Sequence, residues 1–167
     1  MRRHEDEGRM ASTLDHIEPA PNSPSMSPEA VAAACAESMW STDHASQALG
    51  ITLVDVSPGY ARLAMTVRPD MLNGHGICHG GPIATLADSA FGFACNSHGI
   101  VSVASGFDID FLAPANLGDL LVAEARETAR RGRSGIYDVT VRRDDQVIAE
   151  YRGRSRSLGR PILDVRS

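Results

Sequence analysis

The sequence predicts an α+β domain in which an antiparallel sheet wraps around one long, buried helix. Three observations predict it. Two strand-like runs meet at a turn, a helical stretch with a single charged residue follows a glycine-rich loop, and four further strand-like runs come after it. With 167 residues, 43% of them apolar, the chain is long enough for one domain with a substantial core.

The first predicted helix begins after a proline- and serine-rich segment. Residues 1–27 are interpreted as a flexible leader, because "PAPNSPSMSP" interrupts any periodic pattern. Ser27 then offers an N-cap and Pro28 fits the first turn, so we expect a helix from Pro28 to about Trp40. The globular domain is expected over residues 28–157, with a C-terminal tail over 158–167.

Strands are predicted on both sides of the long helix. Pro58-Gly59 marks a turn between the first two, and the second of these alternates apolar and more polar residues, as a half-buried strand does. Asp144-Asp145 is a hairpin signal between the last two. We interpret the four later runs as a four-strand meander; they are residues 101–112, 119–130, 135–143 and 146–156.

The long helix itself is predicted from the glycine-rich loop "NGHGICHGG" onward, with Pro82 in its first turn and Gly99 as its stop signal. Nearly every residue is apolar or small, so we expect the helix to be enclosed. Asp88 is its one charged residue, and an unpaired buried carboxylate is costly. Two interpretations stay open: a functional acid, or an acid satisfied by neighbouring hydroxyl groups.

Composition excludes several classes of function. A net charge of −5 argues against general nucleic-acid affinity, and no apolar run is long enough to span a bilayer. The N-terminal residues lack the apolar segment of a signal peptide, so a cytoplasmic protein is expected. Three cysteines at irregular spacing predict free thiols rather than a disulfide framework.

Arginine is unevenly distributed. Residues 1–125 hold 5 Arg and 15 acids, whereas residues 126–167 hold 11 Arg and 6 acids, and the chain contains no lysine. One explanation is that these arginines lie on the solvent-exposed face of the C-terminal strands. The other is a site for phosphate groups, which guanidinium groups bind in a bidentate manner.

The glycine loop suggests an oxyanion hole. Gly80 and Gly81 precede the helix, whose first N–H groups lack intrahelical partners and lie at the positive end of the helix dipole. Without side chains, the glycine backbone lets a substrate carbonyl approach closely. The alternative interpretation is that the glycines only form a tight turn.

Two other chemistries would use residues of the same loop. His75, Cys78 and His79 lack a second cluster of metal ligands, so no metal is expected. Cys78 as a nucleophile lacks a third group that would orient a histidine base.

Asp88 and Gly80 cannot meet at one carbonyl within one chain. They are eight residues apart, which corresponds to about 12 Å along a helix. Two antiparallel helices in a two-fold dimer would instead bring Asp88 of one chain opposite the glycine loop of the other. A homodimer with two shared sites is therefore expected.

Three segments resemble the PaaI-type thioesterases of the hotdog fold: "NGHGICHGG", "TLADSAFGFACNS" and "VASGFDIDFLAPANLGD". The resemblance implies a five- or six-stranded antiparallel sheet around the central helix, and dimers that pair into tetramers. It implies catalytic roles for Asp88 as general base or nucleophile and for the Gly80 N–H as carbonyl donor. His79 would lie beside Gly80, and Asn73 would position substrate or water.

The same resemblance places CoA at Gly81 and at the basic loop, where Arg133 and Ser134 are the candidates for its phosphates. It implies hydrolysis of aryl-acyl-CoA thioesters, such as phenylacetyl-CoA, without cofactor or metal. A thiolate leaves readily because the pKa of a thiol is near 8.5, so one carboxylate and an oxyanion hole should suffice. The alternatives are a hotdog-fold enoyl-CoA hydratase and a non-catalytic acyl-CoA-binding module.

Overall fold

A computed structural model describes residues 26–163 of the chain, and most of the expected N-terminal leader lies outside them. Three α-helices precede or interrupt the strands: α1 (Pro28–Trp40), α2 (His44–Ala48) and α3 (Gly80–Asn96). The Ser27 hydroxyl accepts a hydrogen bond from the Ala30 N–H at 3.2 Å, so the predicted N-cap of α1 is confirmed.

All six strands form one antiparallel sheet in the order β1-β2-β4-β5-β6-β3. A helix packed against such a sheet is the predicted architecture, and it is confirmed. The strands are β1 (Thr52–Ser57), β2 (Tyr60–Thr66), β3 (Ile100–Phe111), β4 (Leu120–Arg131), β5 (Ser134–Arg143) and β6 (Gln146–Pro161).

The predicted four-strand meander is wrong for β3. Strands β4, β5 and β6 do follow one another as hairpins, but β3 crosses the sheet and pairs with β6. Both sides of β4 are already occupied, because Ala125 pairs with Ala61 of β2 and with Val139 of β5. Strand β3 pairs instead with the side of β6 that β5 does not occupy, and it forms one edge of the sheet.

The last strand also runs further than expected. Ile100 pairs with Pro161, so β6 continues past residue 157, where the domain boundary was placed. The first four residues of the expected tail therefore belong to the sheet. Extra length is possible because β3 supplies backbone partners from Ala149 to Pro161, beyond Arg156, where the pairing of β6 with β5 ends.

Helix α3 packs one face on the sheet and leaves the other half-exposed. Leu86, Ala90 and Phe91 are buried against the strands, whereas Asp88 and Gly92 are only half-buried. The helix is thus enclosed on one side rather than on all sides. Its small, weakly polar outer residues explain why the sequence alone predicts complete burial.

Within residues 26–163, none of the helices has the length and apolar character needed to cross a membrane.

Candidate active site

His79 caps the N-terminal end of α3. Its Nδ1 accepts a hydrogen bond from the Gly81 N–H at 3.3 Å, which fixes the ring against the first turn. The Gly80 N–H is the first of the helix, so no intrahelical carbonyl can accept from it. The positive end of the helix dipole therefore points outward at Gly80, where a carbonyl oxygen that gains negative charge would be stabilised.

Asn73 organises the loop before α3. Its Oδ1 accepts from the backbone N–H groups of His75 at 2.9 Å and Ile77 at 3.4 Å, an Asx-type turn. The N–H groups of His75 and Ile77 require an acceptor, so the Asn73 side-chain amide is oriented with its oxygen, not its nitrogen, toward them. The Nδ2 group consequently lies on the other side of the amide, and Asn73 itself is part of the wall of the neighbouring groove.

That groove lies beside the loop and is largely apolar. It encloses about 590 Å³, and Asn73, Gly80, Ile83, Phe111 and Leu112 are among its walls. The segment after β3 supports it, because the Cys78 N–H donates to the Ala115 carbonyl at 2.8 Å. Polar donors at the edge of an apolar groove suit a ligand with a carbonyl group and an apolar remainder.

Asp88 lies two helical turns beyond the loop, and its partner comes from strand β6, on the face of the sheet that α3 covers. The Tyr151 hydroxyl donates to Asp88 Oδ1 at 2.7 Å. Of the two interpretations left open by the sequence, partners among the neighbouring Ser or Thr hydroxyls are not observed, since the adjacent Ser89 hydroxyl bonds to Ser46 instead. Alternation along β6 predicts that Tyr151 points inward, but not which residue it meets.

The buried thiols are not activated as nucleophiles. Burial raises the pKa of Cys78, and burial together with the charge of Asp88 raises the pKa of Cys95 to about 12. Both groups are therefore protonated near neutral pH, whereas a nucleophilic cysteine reacts as its thiolate. A mechanism that uses Cys78 is disfavoured, and the carboxylate remains the better candidate.

Arg133 and Ser134 lie at the turn between β4 and β5, close to the C-terminal end of α3. A cavity of about 140 Å³ there is bordered by both residues and by Arg130 and Ser157. The Arg133 Nε donates to the Ser157 carbonyl at 2.9 Å, which leaves its two Nη groups directed away from that bond. Other arginines match the alternative explanation of a solvated strand face: Arg152 pairs with Asp138.

The structure separates the predicted residues into two groups. Asn73, His79, Gly80 and Gly81 lie together at the N-terminal end of α3, as predicted. The basic loop lies near the other end of this 17-residue helix, about 24 Å away at 1.5 Å per residue. Asp88 lies midway between the two groups.

Comparison with known proteins gives consistent matches. The thioesterase superfamily model matches residues 75–150. Acyl-coenzyme A thioesterase PaaI of Escherichia coli K12 is 42% identical over 128 residues, which is 76% of this chain and 91% of that protein. The solved structure of E. coli PaaI, from the phenylacetic acid degradation operon, has a TM-score of 0.79 at 40% identity and covers 81% of this chain and 99% of its own.

A further solved structure carries a ligand. The smu.793 protein of Streptococcus mutans UA159, bound to acetyl CoA, has a TM-score of 0.64 at 28% identity and covers 66% of this chain and 90% of its own. The fold and the matched model thus define the class as the thioesterase superfamily, with the hotdog arrangement of a sheet around a helix. Within that class the chain belongs to the PaaI-type acyl-CoA thioesterases, and it is a thioester hydrolase.

Proposed function

We propose that the protein hydrolyses aryl-acyl-CoA thioesters of the phenylacetyl type. Two observations support this narrower substrate class. The related E. coli protein comes from a phenylacetic acid degradation operon. In this chain, the groove beside Gly80 has Phe111 as an aromatic wall, and Phe107 is half-exposed on the same strand. Aromatic rings favour stacked or edge-to-face contact with an aryl group.

We propose that Asp88 supplies the carboxylate of the reaction, and the Gly80 N–H the donor to the thioester oxygen. The observation that carries this assignment is that Asp88, the one Asp, Glu, Lys, Arg or His of α3, is half-exposed and fixed by Tyr151. His79 keeps the donor in place as the helix cap, and Asn73 presents its Nδ2 beside it.

Two routes are chemically balanced. In the first, Asp88 takes a proton from water while the water oxygen bonds to the acyl carbon, and the C–S bond breaks to release CoA thiolate. In the second, Asp88 itself attacks, releases the thiolate and forms an anhydride that water then hydrolyses. In a single turnover in ¹⁸O water, label in Asp88 would identify the second route with water attacking the Asp88 carbonyl of the anhydride, whereas the first route puts all of the label in the product acid.

We propose that the site is shared between two chains of a homodimer. Among residues 26–163, edge strand β3 has a strand partner on one side only, and it exposes Val103 and Phe107, each 45% accessible. An edge of this kind favours pairing with a second copy. Antiparallel α3 helices would then bring one chain's glycine loop toward the other chain's Asp88 and Arg133 loop, and CoA phosphates would bind Arg133 and Ser134.

The decisive experiment measures thiol release from a panel of CoA thioesters, with wild type and Asp88→Asn compared. Phenylacetyl-CoA and hydroxyphenylacetyl-CoA should give a kcat/KM at least about tenfold above acetyl-CoA and long-chain acyl-CoA. Asp88→Asn should lower kcat about a hundredfold or more while the fold persists, because Asn retains an Oδ1 acceptor for Tyr151. Equal use of all acyl groups would contradict the aryl preference; near-normal turnover by Asp88→Asn would contradict the catalytic assignment.

A further inference from the structure

Tyr151 makes a contact that the reaction chemistry outlined above does not use. Its hydroxyl donates to Asp88 Oδ1 at 2.7 Å across 63 positions of sequence. Among residues 26–163 this is the hydrogen bond recorded for that carboxylate. Tyr151 is 2% exposed, whereas Asp88 is half-buried. The buried Tyr151 hydroxyl therefore holds a carboxylate that solvent or a ligand can reach.

The ring of Tyr151 is fixed by aromatic neighbours. Phe107 stacks on it with centroids 4.9 Å apart and planes 23° apart, and Phe91 lies against it at 6.0 Å. Phe91 can approach because Gly153 has no side chain; a Cβ there would lie 2.6 Å from Phe91 Cδ2. The hydroxyl oxygen is therefore fixed by packing.

The hydroxyl also remains a donor. Burial raises the pKa of Tyr151, and the hydrogen bond to Asp88 and the negative charge of that carboxylate raise it further. The phenol stays protonated throughout the range in which the enzyme would work, so its proton points at Oδ1. The second oxygen of Asp88 makes no hydrogen bond within residues 26–163, and the residue is half-buried, so Oδ2 remains available to accept.

We propose that Tyr151 is a positioning residue, which fixes the Asp88 side chain in one orientation so that Oδ2 faces the water or the acyl carbon. The inference rests on the proposed role of Asp88. Without the bond, the carboxylate would rotate among its rotamers and spend less time aligned. Loss of alignment lowers the rate of the chemical step rather than the binding of CoA, because Tyr151 is buried behind Asp88.

The variant Tyr151→Phe tests this with little risk to folding. It keeps the ring and its stacking on Phe107 and removes only the hydroxyl group. We expect kcat to fall roughly tenfold with KM within about twofold. The control is Tyr60→Phe on β2, whose partly buried hydroxyl donates to Glu124 at 3.3 Å. It loses a tyrosine–carboxylate bond away from Asp88 and should keep its kcat.

A double-mutant cycle gives the readout that a structural role would not produce. In the Asp88→Asn background, assayed at high enzyme concentration, Tyr151→Phe should lower the residual rate by less than about twofold, because the group it orients is gone. Fully multiplicative losses would overturn the inference, as would equal kcat losses in the two Tyr→Phe variants. Normal kcat in Tyr151→Phe with an inactive Asp88→Asn overturns this inference alone, whereas an active Asp88→Asn overturns the proposed function.

Discussion

Phe111 lies directly against the backbone of Gly80: a Cβ added to Gly80 would be 2.9 Å from the Phe111 Cζ atom. The ring closes one side of the proposed oxyanion position, and the absence of a side chain on Gly80 allows it. Phe111 is 51% exposed and its ring tip is free to swing outward. The contact therefore controls the shape of the site more than the stability of the fold.

Gly80→Ala should consequently reduce activity without unfolding the protein. The added methyl group pushes the Phe111 ring away from Gly80 and changes the shape of the groove that both residues line, so we expect kcat/KM to fall about tenfold or more while Tm changes by only about 1–2 °C. Thiol release and thermal unfolding measure the two effects. Gly74→Ala is the control, because a Cβ there has nothing within 4 Å; an equal loss in both variants would exclude the Phe111 explanation.

Mixed dimers should test whether the site is shared. Asn73→Asp suits this experiment, because it keeps the Oδ1 that accepts from His75 and Ile77 and removes the Nδ2 donor. If Asp88→Asn and Asn73→Asp each inactivate their own homodimers, a mixed dimer has one intact site. Random exchange makes half the dimers mixed, so co-refolding should restore about a quarter of wild-type activity.

The exchange itself must be verified with two affinity tags. Isolated mixed dimers that stay inactive would show that Asp88 and Asn73 serve the same chain's site. Light scattering on the wild type gives the accompanying mass, for which a dimer or a pair of dimers is expected; a monomer with full activity would contradict the shared site outright.

Arg133→Ala should weaken the binding of the nucleotide part of CoA. We expect KM for a CoA thioester to rise several-fold, while KM for the matching pantetheine thioester, which lacks the nucleotide phosphates, stays within about twofold. Arg152→Ala is the control, since Arg152 pairs with Asp138 on the outer strand face. Equal changes with both substrates would remove Arg133 from the CoA site.

Asp119 should make stability depend on pH. The Asn116 N–H at 2.7 Å and the Arg143 guanidinium hold the pKa of Asp119 below its usual range. A lowered pKa stabilises the folded state fully above the unfolded value of about 3.9 and less as pH falls through the folded value. Asp119→Asn should therefore lower the free energy of unfolding by about 1–2 kcal/mol at pH 7.

At pH 3 the same substitution should cost less, because the Asp119 carboxyl of the unfolded chain is then largely protonated and the preference for the charged form contributes less to folding. Urea denaturation at the two pH values gives both differences. A cost that does not change with pH would assign the effect to packing rather than to charge. Asp119 anchors the segment that includes Ala115, so loosening it is also expected to affect the glycine loop.

Local patterns in the sequence determined the elements of this protein. Pro28 with Ser27 determined where α1 begins, alternation determined the inward face of β2, and the single charge on α3 identified Asp88. These features depend on backbone preference and on periodicity within a few residues. The spacing of Gly80 and Asp88 was equally readable, because a helix has a fixed rise per residue.

Only the tertiary structure decided which distant elements meet. Strand β3 pairs with β6 rather than with its neighbour in sequence, since both sides of β4 are occupied. That arrangement places Phe107 against Tyr151, and α3 lies across β6 so that Tyr151 reaches Asp88. Such contacts depend on how whole strands and helices pack together. The alternating pattern of a strand shows which residues face inward, but it is the same whichever residue they contact.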